Sequence, residues 1–126
     1  MPTPIRIDID DLRLRAELND TACARAVAAR LPIETHPDTW GEEFYFDIGL
    51  THPEEAGAAT EVEIGEIGYW PPGRALAIFF GRTPASSGDK PVAASAVNRI
   101  GRVLDDATVL RRHLGARLIR IEQAAD

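Results

Sequence analysis

Two neighbouring carboxylates near the middle of the chain are the first candidates for chemistry. Glu42 and Glu43 follow Trp40 and Gly41 and enter an alternating aromatic run. Adjacent residues of a strand point to opposite faces, so these two carboxylates cannot serve one substrate as a general acid–base pair. One of them could line a cavity as a hydrogen-bond acceptor or a base. The alternative is that both are solvated or cap the Trp40-Gly41 turn.

The residue types that bind metals or attack substrates are scattered along the chain. The three histidines, His36, His52 and His113, lie in predicted loops or helix ends without metal-ligand spacing. The one cysteine, Cys23, falls on the apolar face of a predicted helix, where cysteine usually behaves as a small hydrophobic residue. Neither a Gly-x-Ser-x-Gly motif nor the glycine order of a phosphate-binding loop occurs. The sequence predicts no metal site, no cofactor and no thiol nucleophile.

Composition and charge narrow the class of protein. The chain has 126 residues, a formal net charge of −6, 44% hydrophobic residues and one cysteine, which predicts a single globular domain over residues 1–126. The longest apolar run, Ala75–Phe80, is far too short to span a bilayer, and the first residues do not resemble a secretory signal. The acidic balance and the dispersed arginines argue against nucleic-acid and membrane partners. We expect a cytoplasmic protein, whose oligomeric state the sequence does not determine.

Hydrophobic periodicity predicts the elements that must position the candidate residues. Strict alternation over Ile5–Leu18, with Asp10-Asp11 at its centre, predicts a β-hairpin. The segment Arg74–Phe80, which is apolar at nearly every position, predicts a central strand buried on both faces. The remaining predicted elements are strands at Ile33–Thr35, Phe44–Ile48, Val62–Ile67, Ser95–Leu104 with a bulge at Gly101, and Arg117–Glu122; loops at Thr51–Thr60 and Gly81–Ala94; a turn at Tyr69–Gly73; and helices at Ala22–Leu31 and Ala107–Leu114.

About seven or eight short strands with two helices indicate a mainly β protein. A closed or nearly closed barrel is the arrangement that leaves the least sheet edge exposed. The side chains expected to be buried in it are Phe44, Phe46, Leu76, Ile78, Ile119 and Ile121.

Several sequence blocks resemble one known family. They are Trp40-Gly41-Glu42-Glu43, Gly68-Tyr69-Trp70-Pro71-Pro72-Gly73, Phe79-Phe80-Gly81, Thr83-Pro84 and Ala94-Ser95-Ala96-Val97-Asn98. Together they are similar to the uncharacterised prokaryotic cyclophilin-like proteins over nearly the whole chain. The resemblance implies a closed eight-stranded cyclophilin-like β-barrel with two short helices.

The prolyl isomerase residues of cyclophilins are largely missing. The resemblance implies that an active prolyl isomerase groove would need four residues besides the phenylalanine. They are an arginine on the strand after the first helix, a glutamine before the Phe-Phe pair, and a tryptophan and a histidine in the following loop. Here no arginine lies in 40–48, the one glutamine is Gln123, no tryptophan follows Trp70, and the loop after Gly81 has no histidine. Phe80 alone matches by position. We therefore expect no ordinary prolyl isomerase activity.

The resemblance also suggests where a ligand would bind. In the cyclophilin arrangement a groove lies over the strand that carries Phe80, so we expect Trp70, Phe80 and Tyr45 to form apolar walls. Glu43 and Arg82 are expected to supply the polar groups that orient a ligand. The preferred hypothesis is a binding module for a small molecule or peptide. The alternatives are a prolyl isomerase or another small enzyme with a rebuilt active site, and an assembly role through an exposed sheet edge.

Overall fold

The computed structural model describes residues 2–124. These residues form ten β-strands, one α-helix and two 3₁₀ helices. The strands are β1 Thr3–Ile9, β2 Leu12–Leu18, β3 Ile33–Thr35, β4 Asp38–Thr39, β5 Glu43–Asp47, β6 Ala59–Glu61, β7 Glu66–Trp70, β8 Ala75–Phe79, β9 Val92–Val103 and β10 Ile119–Gln123. The helix α1 is Ala22–Ala28, and the 3₁₀ helices are Pro71–Gly73 and Ala107–Arg112. Among the described residues, no helix is both long and apolar enough to cross a membrane.

The strands pair in one antiparallel sheet, as the mainly β prediction requires. The order is β3-β10-β1-β2-β9-β7-β8-β5-β4, and β6 pairs with β9 outside this path. Over residues 2–124 the hydrogen-bonded path ends at β3 and β4 and does not join them, so a closed eight-stranded barrel is not confirmed. The additional strands, β4 and β6, are only two and three residues long, too short to show a two-residue hydrophobic period.

The strongest periodic signals correspond to the observed elements. The predicted hairpin is β1 paired with β2, and Asp10 in its turn has a φ of +50°. Every residue of β8 is buried, as the apolar run predicts. The six side chains expected inside the fold are all at most 2% exposed, and they are Phe44, Phe46, Leu76, Ile78, Ile119 and Ile121.

Two apolar clusters pack on opposite faces of β8. Leu76 and Ile78 belong to the large main core on one side of the sheet. The alternate residues Ala77 and Phe79 belong to a second cluster with Val62, Ala93 and Val97, against which Tyr45 and Trp70 pack. Because successive strand residues face opposite sides, one fully apolar strand serves both clusters. The second cluster is the floor of the candidate site.

The long strand β9 covers this second cluster. Its pairing with β7 shifts at Ile67 and Gly68, which lie opposite Gly101 and Arg99, so β9 has one extra residue there. This bulge is adjacent to the predicted position and bends β9 across the outer face. A Cβ at Gly68 would lie 2.8 Å from Val97 Cγ2, so the glycine permits the close approach of β9.

Both predicted helices are shorter than expected. Thr21 caps α1 by accepting a hydrogen bond from Ala24 N–H, but the helix ends at Ala28. Arg30 and Leu31 then donate to the carbonyls three residues earlier, which tightens the chain ahead of Pro32.

The second predicted helix is a 3₁₀ helix, Ala107–Arg112. Asp106 caps it by accepting hydrogen bonds from Thr108 N and Thr108 Oγ1. The β-branched pair Thr108-Val109 is poorly suited to an α-helical first turn.

Candidate functional site

A cavity of about 220 Å³ lies on the outer face of the sheet, over the second apolar cluster. Its lining residues are Trp40, Glu43, Tyr45, Trp70, Ala93, Ala94 and Val97. The lining combines three aromatic rings with one carboxyl group. Ligand sites typically pair such apolar walls with a few convergent polar groups.

Strand β5 sets the direction of two of these side chains. Glu43 and Tyr45 are two residues apart and face the cavity, whereas Phe44 and Phe46 face the main core. Glu43 lies opposite Phe79 on β8, and Tyr45 lies opposite Ala77. The alternation of this strand therefore directs one set of side chains to the cavity and the other set to the main core.

Trp70 forms one wall of the cavity. It is the last residue of β7, not part of a free turn as predicted, and its side chain is half-buried. Its indole Nε1 donates to Ser95 Oγ at 2.7 Å. A Cβ at Gly73 would lie 2.7 Å from the indole ring carbons. The Pro-Pro-Gly 3₁₀ turn therefore supports the ring from behind while one face remains available.

A second aromatic side chain of the lining, Trp40, is held by a tight turn. Trp40 N donates to Glu43 O at 3.0 Å, and Glu42 N donates to Arg82 O at 2.8 Å. Gly41 has a φ of +62°, and a Cβ there would lie 2.9 Å from Arg82 O. This close approach to the following loop requires glycine.

The two adjacent carboxylates have different surroundings, as the alternation predicts. The side chain of Glu42 accepts a hydrogen bond from Arg82 N at 3.1 Å and forms an ion pair with Arg111 at 2.9 Å. Glu42 is therefore a structural residue. Glu43 is turned to the other side and lines the cavity.

Glu43 is the unusual group of the site. The residue is only 7% exposed, and its Oε1 is buried without a hydrogen-bond partner. Burial raises the pKa of Glu43 to about 8, because an apolar surrounding disfavours the charged form. Among the described residues the other buried side-chain atom without a hydrogen bond is Arg6 Nε, but that guanidinium has ion-pair partners in Asp8 and Glu122.

The structure brings three of the five predicted site residues together. Glu43, Tyr45 and Trp70 line one cavity. Phe80 is fully buried in the main core, with its ring centroid 5.0 Å from that of Phe44, and it does not line the cavity. Arg82 is exposed, and its guanidinium donates to Ser86 O at 3.5 Å instead of pointing to Glu43.

Trp40 and the small residues of β9 complete the lining without having been predicted. The block Trp40-Gly41-Glu42-Glu43 carries a usable signal, since a tryptophan beside a turn glycine is suited to a cavity rim. Nothing in the sequence indicates that the small apolar residues Ala93, Ala94 and Val97 line a cavity. Their contribution depends on the path of β9 across the sheet.

Three side chains of metal-binding type also lie together, although their spacing in sequence did not suggest it. Ligand atoms of Cys23, His52 and Glu55 lie within 4.8 Å of one another. Glu55 Oε2 accepts from Cys23 N at 3.0 Å, and the buried Asn98 accepts from Glu55 N at 2.7 Å. Asn98 also donates to Pro53 O at 2.9 Å. These contacts hold the segment 50–58 against α1 and β9.

A larger depression of about 540 Å³ lies elsewhere, along β2 and the second half of β9. Its carboxylates already have basic partners, and Glu63 pairs with Lys90 Nζ at 2.9 Å. Glu66 accepts from Arg99 Nη2 at 2.9 Å, and Glu17 accepts from Arg102 Nε at 3.0 Å. The smaller cavity therefore carries the buried carboxyl group that protein contacts leave unpaired.

The comparisons with known proteins agree with this fold. Residues 3–122 match the family model described as Cyclophilin-like, so the chain belongs to the cyclophilin-like family. The solution structure of the hypothetical protein AF2241 from Archaeoglobus fulgidus is similar, with 34% sequence identity and a TM-score of 0.79. The match covers 98% of this chain and 95% of that one. The comparison with curated proteins finds no match.

Proposed function

We propose that this protein binds a small molecule or a short peptide segment in the cavity formed by Trp40, Glu43, Tyr45 and Trp70. The observation that carries the proposal is the Glu43 carboxyl group, buried at an apolar cavity with Oε1 unpartnered. Buried polar groups in folded proteins almost always have partners. A ligand that supplies the missing partner would offset the free-energy cost of burying this carboxyl group.

Folding alone does not account for Glu43. Its carboxyl makes no ion pair or hydrogen bond among the described residues, and burial without a partner costs free energy. An apolar side chain at this position would join the second cluster at no such cost. Groups whose pKa is perturbed by burial in a cleft mark functional sites more often than chance.

The alternative is an enzyme with a rebuilt active site, including a prolyl isomerase. The raised pKa of Glu43, about 8 through burial, suits a general acid or base near neutral pH. Tyr45 lines the same cavity, but Arg82 does not. We rank this function second because Tyr45 is the one other titratable side chain among the described lining residues, and Arg82, the cation expected beside Glu43, is not among them.

Two expectations from the sequence accompany this proposal. The single cysteine supports a cytoplasmic location. Membership of the cyclophilin-like family supports a barrel-like closure of the sheet.

The proposal is tested by closing the cavity. Ala94 lines it yet is exposed, so Ala94→Phe places a ring at the cavity mouth without disturbing the core. Ala56→Phe, in the exposed loop before β6, is the matched control. In ligand-observed NMR against small fragments and proline-containing tetrapeptides, we expect wild type and the control to bind and Ala94→Phe to lose binding. Binding unchanged in Ala94→Phe, or absent in wild type, would overturn the proposal.

A further inference from the structure

We infer that the ligand of this cavity is a small organic cation, of the alkylammonium class. This inference rests on the proposed function and specifies its ligand. Three aromatic side chains and one buried, unpartnered carboxyl group converge on the same space. Aromatic faces attract ammonium groups, and a carboxylate is the natural counter-charge.

The charge around the cavity favours a cation. No lysine or arginine is among the residues that line it. Cationic side chains of the flanking segments have other partners: Arg99 pairs with Glu66, Arg111 pairs with Glu42, Lys90 pairs with Glu63, and Arg82 contacts Ser86 O. A ligand cation would therefore meet the Glu43 carboxyl without competition from a protein cation.

The cavity limits the size of the cation. At about 220 Å³ it is smaller than the roughly 300–1,000 Å³ of most drug-sized ligand sites. It suits a methylated or short-chain ammonium group, free or at the end of a longer molecule. The open side toward Ala94 leaves room for such a molecule to continue into solvent.

The protonation of Glu43 gives the binding a pH dependence. β5 presents Tyr45 as the other titratable group in the lining, and the side chains that β7, β8 and β9 direct toward the cavity floor are uncharged. The neighbouring Glu42 faces Arg111 instead. A bound cation favours the ionised carboxylate, so binding releases the proton, and affinity for the cation rises as pH increases from 6 to 8.

The test compares a cation with its neutral counterpart. Choline and 3,3-dimethylbutan-1-ol have nearly the same shape, but only choline is charged. Both tryptophans of the chain line the cavity, so intrinsic fluorescence reports binding directly. We expect choline to bind wild type at least tenfold more tightly than the alcohol at pH 8. n-Butylammonium and 1-butanol give the same comparison for an ammonium that donates hydrogen bonds.

Two variants test whether Glu43 causes the preference for cations over alcohols. Glu43→Gln is expected to abolish the preference for both cations and its pH dependence while retaining the alcohols. Glu54→Gln, at an exposed carboxylate outside the cavity, should keep the preference. Alcohols that bind wild type as tightly as the cations would overturn the inference and leave the proposed function standing. Fragments that bind the cavity while neither cation does would also overturn it, whereas an empty fragment screen would overturn the proposed function itself.

Discussion

At the scale of single residues, the central feature is a carboxyl group that folding has buried without a partner. Glu43 lies beside Glu42 in sequence, yet the two differ because one faces arginines and the other faces aromatic rings. The sequence could predict that they diverge, because strand alternation requires it. It could not predict which one is buried, since that depends on where β9 crosses the sheet.

Glu43 makes the stability of the protein depend on pH. Its pKa in the folded protein is raised to about 8 by burial, above an ordinary value of 4.5. The folded state therefore holds the proton more tightly than the unfolded state, and stability is lost as pH rises from 4.5 through 8. At about 1.4 kcal/mol per pH unit, the loss is at most on the order of 5 kcal/mol.

The measurement is urea unfolding of wild type, Glu43→Gln and Glu54→Gln at pH 5 and pH 8. We expect Glu43→Gln to become more stable relative to wild type between pH 5 and pH 8, as measured by the free energy of unfolding. The free energy of unfolding of Glu54→Gln should change with pH as that of wild type does. Identical pH profiles for wild type and Glu43→Gln would contradict the burial of an unpartnered carboxyl group.

Phe80 and Trp70 should differ in their effects on stability. Phe80 is fully buried against Phe44, so Phe80→Ala is expected to cost about 3–5 kcal/mol. Trp70 is half-buried at a cavity wall, so Trp70→Ala should cost much less and mainly reduce ligand binding. Denaturant unfolding of both variants measures the difference. A Trp70→Ala variant that fails to fold would make Trp70 a core residue.

At the scale of elements, long periodic segments could be predicted and short or irregular ones could not. The hairpin β1–β2 and the buried β8 follow from alternation and from an apolar run. The site was predicted less completely. Phe80 was placed in the groove by resemblance, but the neighbouring Phe79 occupies the outer cluster with Tyr45 and Trp70. Adjacent residues on one strand cannot both face the same side.

The crossing of β9 over β7 should depend on Gly68. In Gly68→Ala the new Cβ would meet Val97 at 2.8 Å, which is expected to destabilise the protein by about 1–3 kcal/mol through overpacking. Adding Val97→Ala should recover part of that loss, so the two changes are not additive. Thermal unfolding of the single and double variants measures the coupling.

Gly57→Ala is the control for this pair, because nothing lies within 4 Å of a Cβ at Gly57. Its stability should stay close to that of wild type. Additive effects of Gly68→Ala and Val97→Ala would show that the close packing of β9 does not set the floor of the cavity.

At the scale of the whole molecule, a cyclophilin-like fold carries an aromatic cavity whose described lining includes no arginine. The family match covers residues 3–122, but a fold does not by itself determine an activity. In this chain the long strand β9 lines an aromatic cavity that contains one carboxyl group. Two arginines that flank β8, which lies under the cavity, have other contacts, Arg74 with Asp47 and Arg82 with Ser86.

We therefore predict no prolyl isomerase activity. In a protease-coupled assay on proline-containing peptides, wild type should give no acceleration above background, because no arginine lines the cavity to bind the proline carbonyl. A saturable acceleration that Arg74→Ala or Arg82→Ala abolishes would favour the rebuilt-enzyme alternative.

The location of the ligand site is tested most directly by two-dimensional ¹H–¹⁵N NMR during titration with choline and with 3,3-dimethylbutan-1-ol. If the cavity is the ligand site, saturable shifts will be largest at Glu43, Tyr45, Trp70 and Ala94 and at both indole N–H signals. Saturable shifts centred instead on the depression near Glu66 and Arg99, or no saturable shift with either probe, would contradict the account.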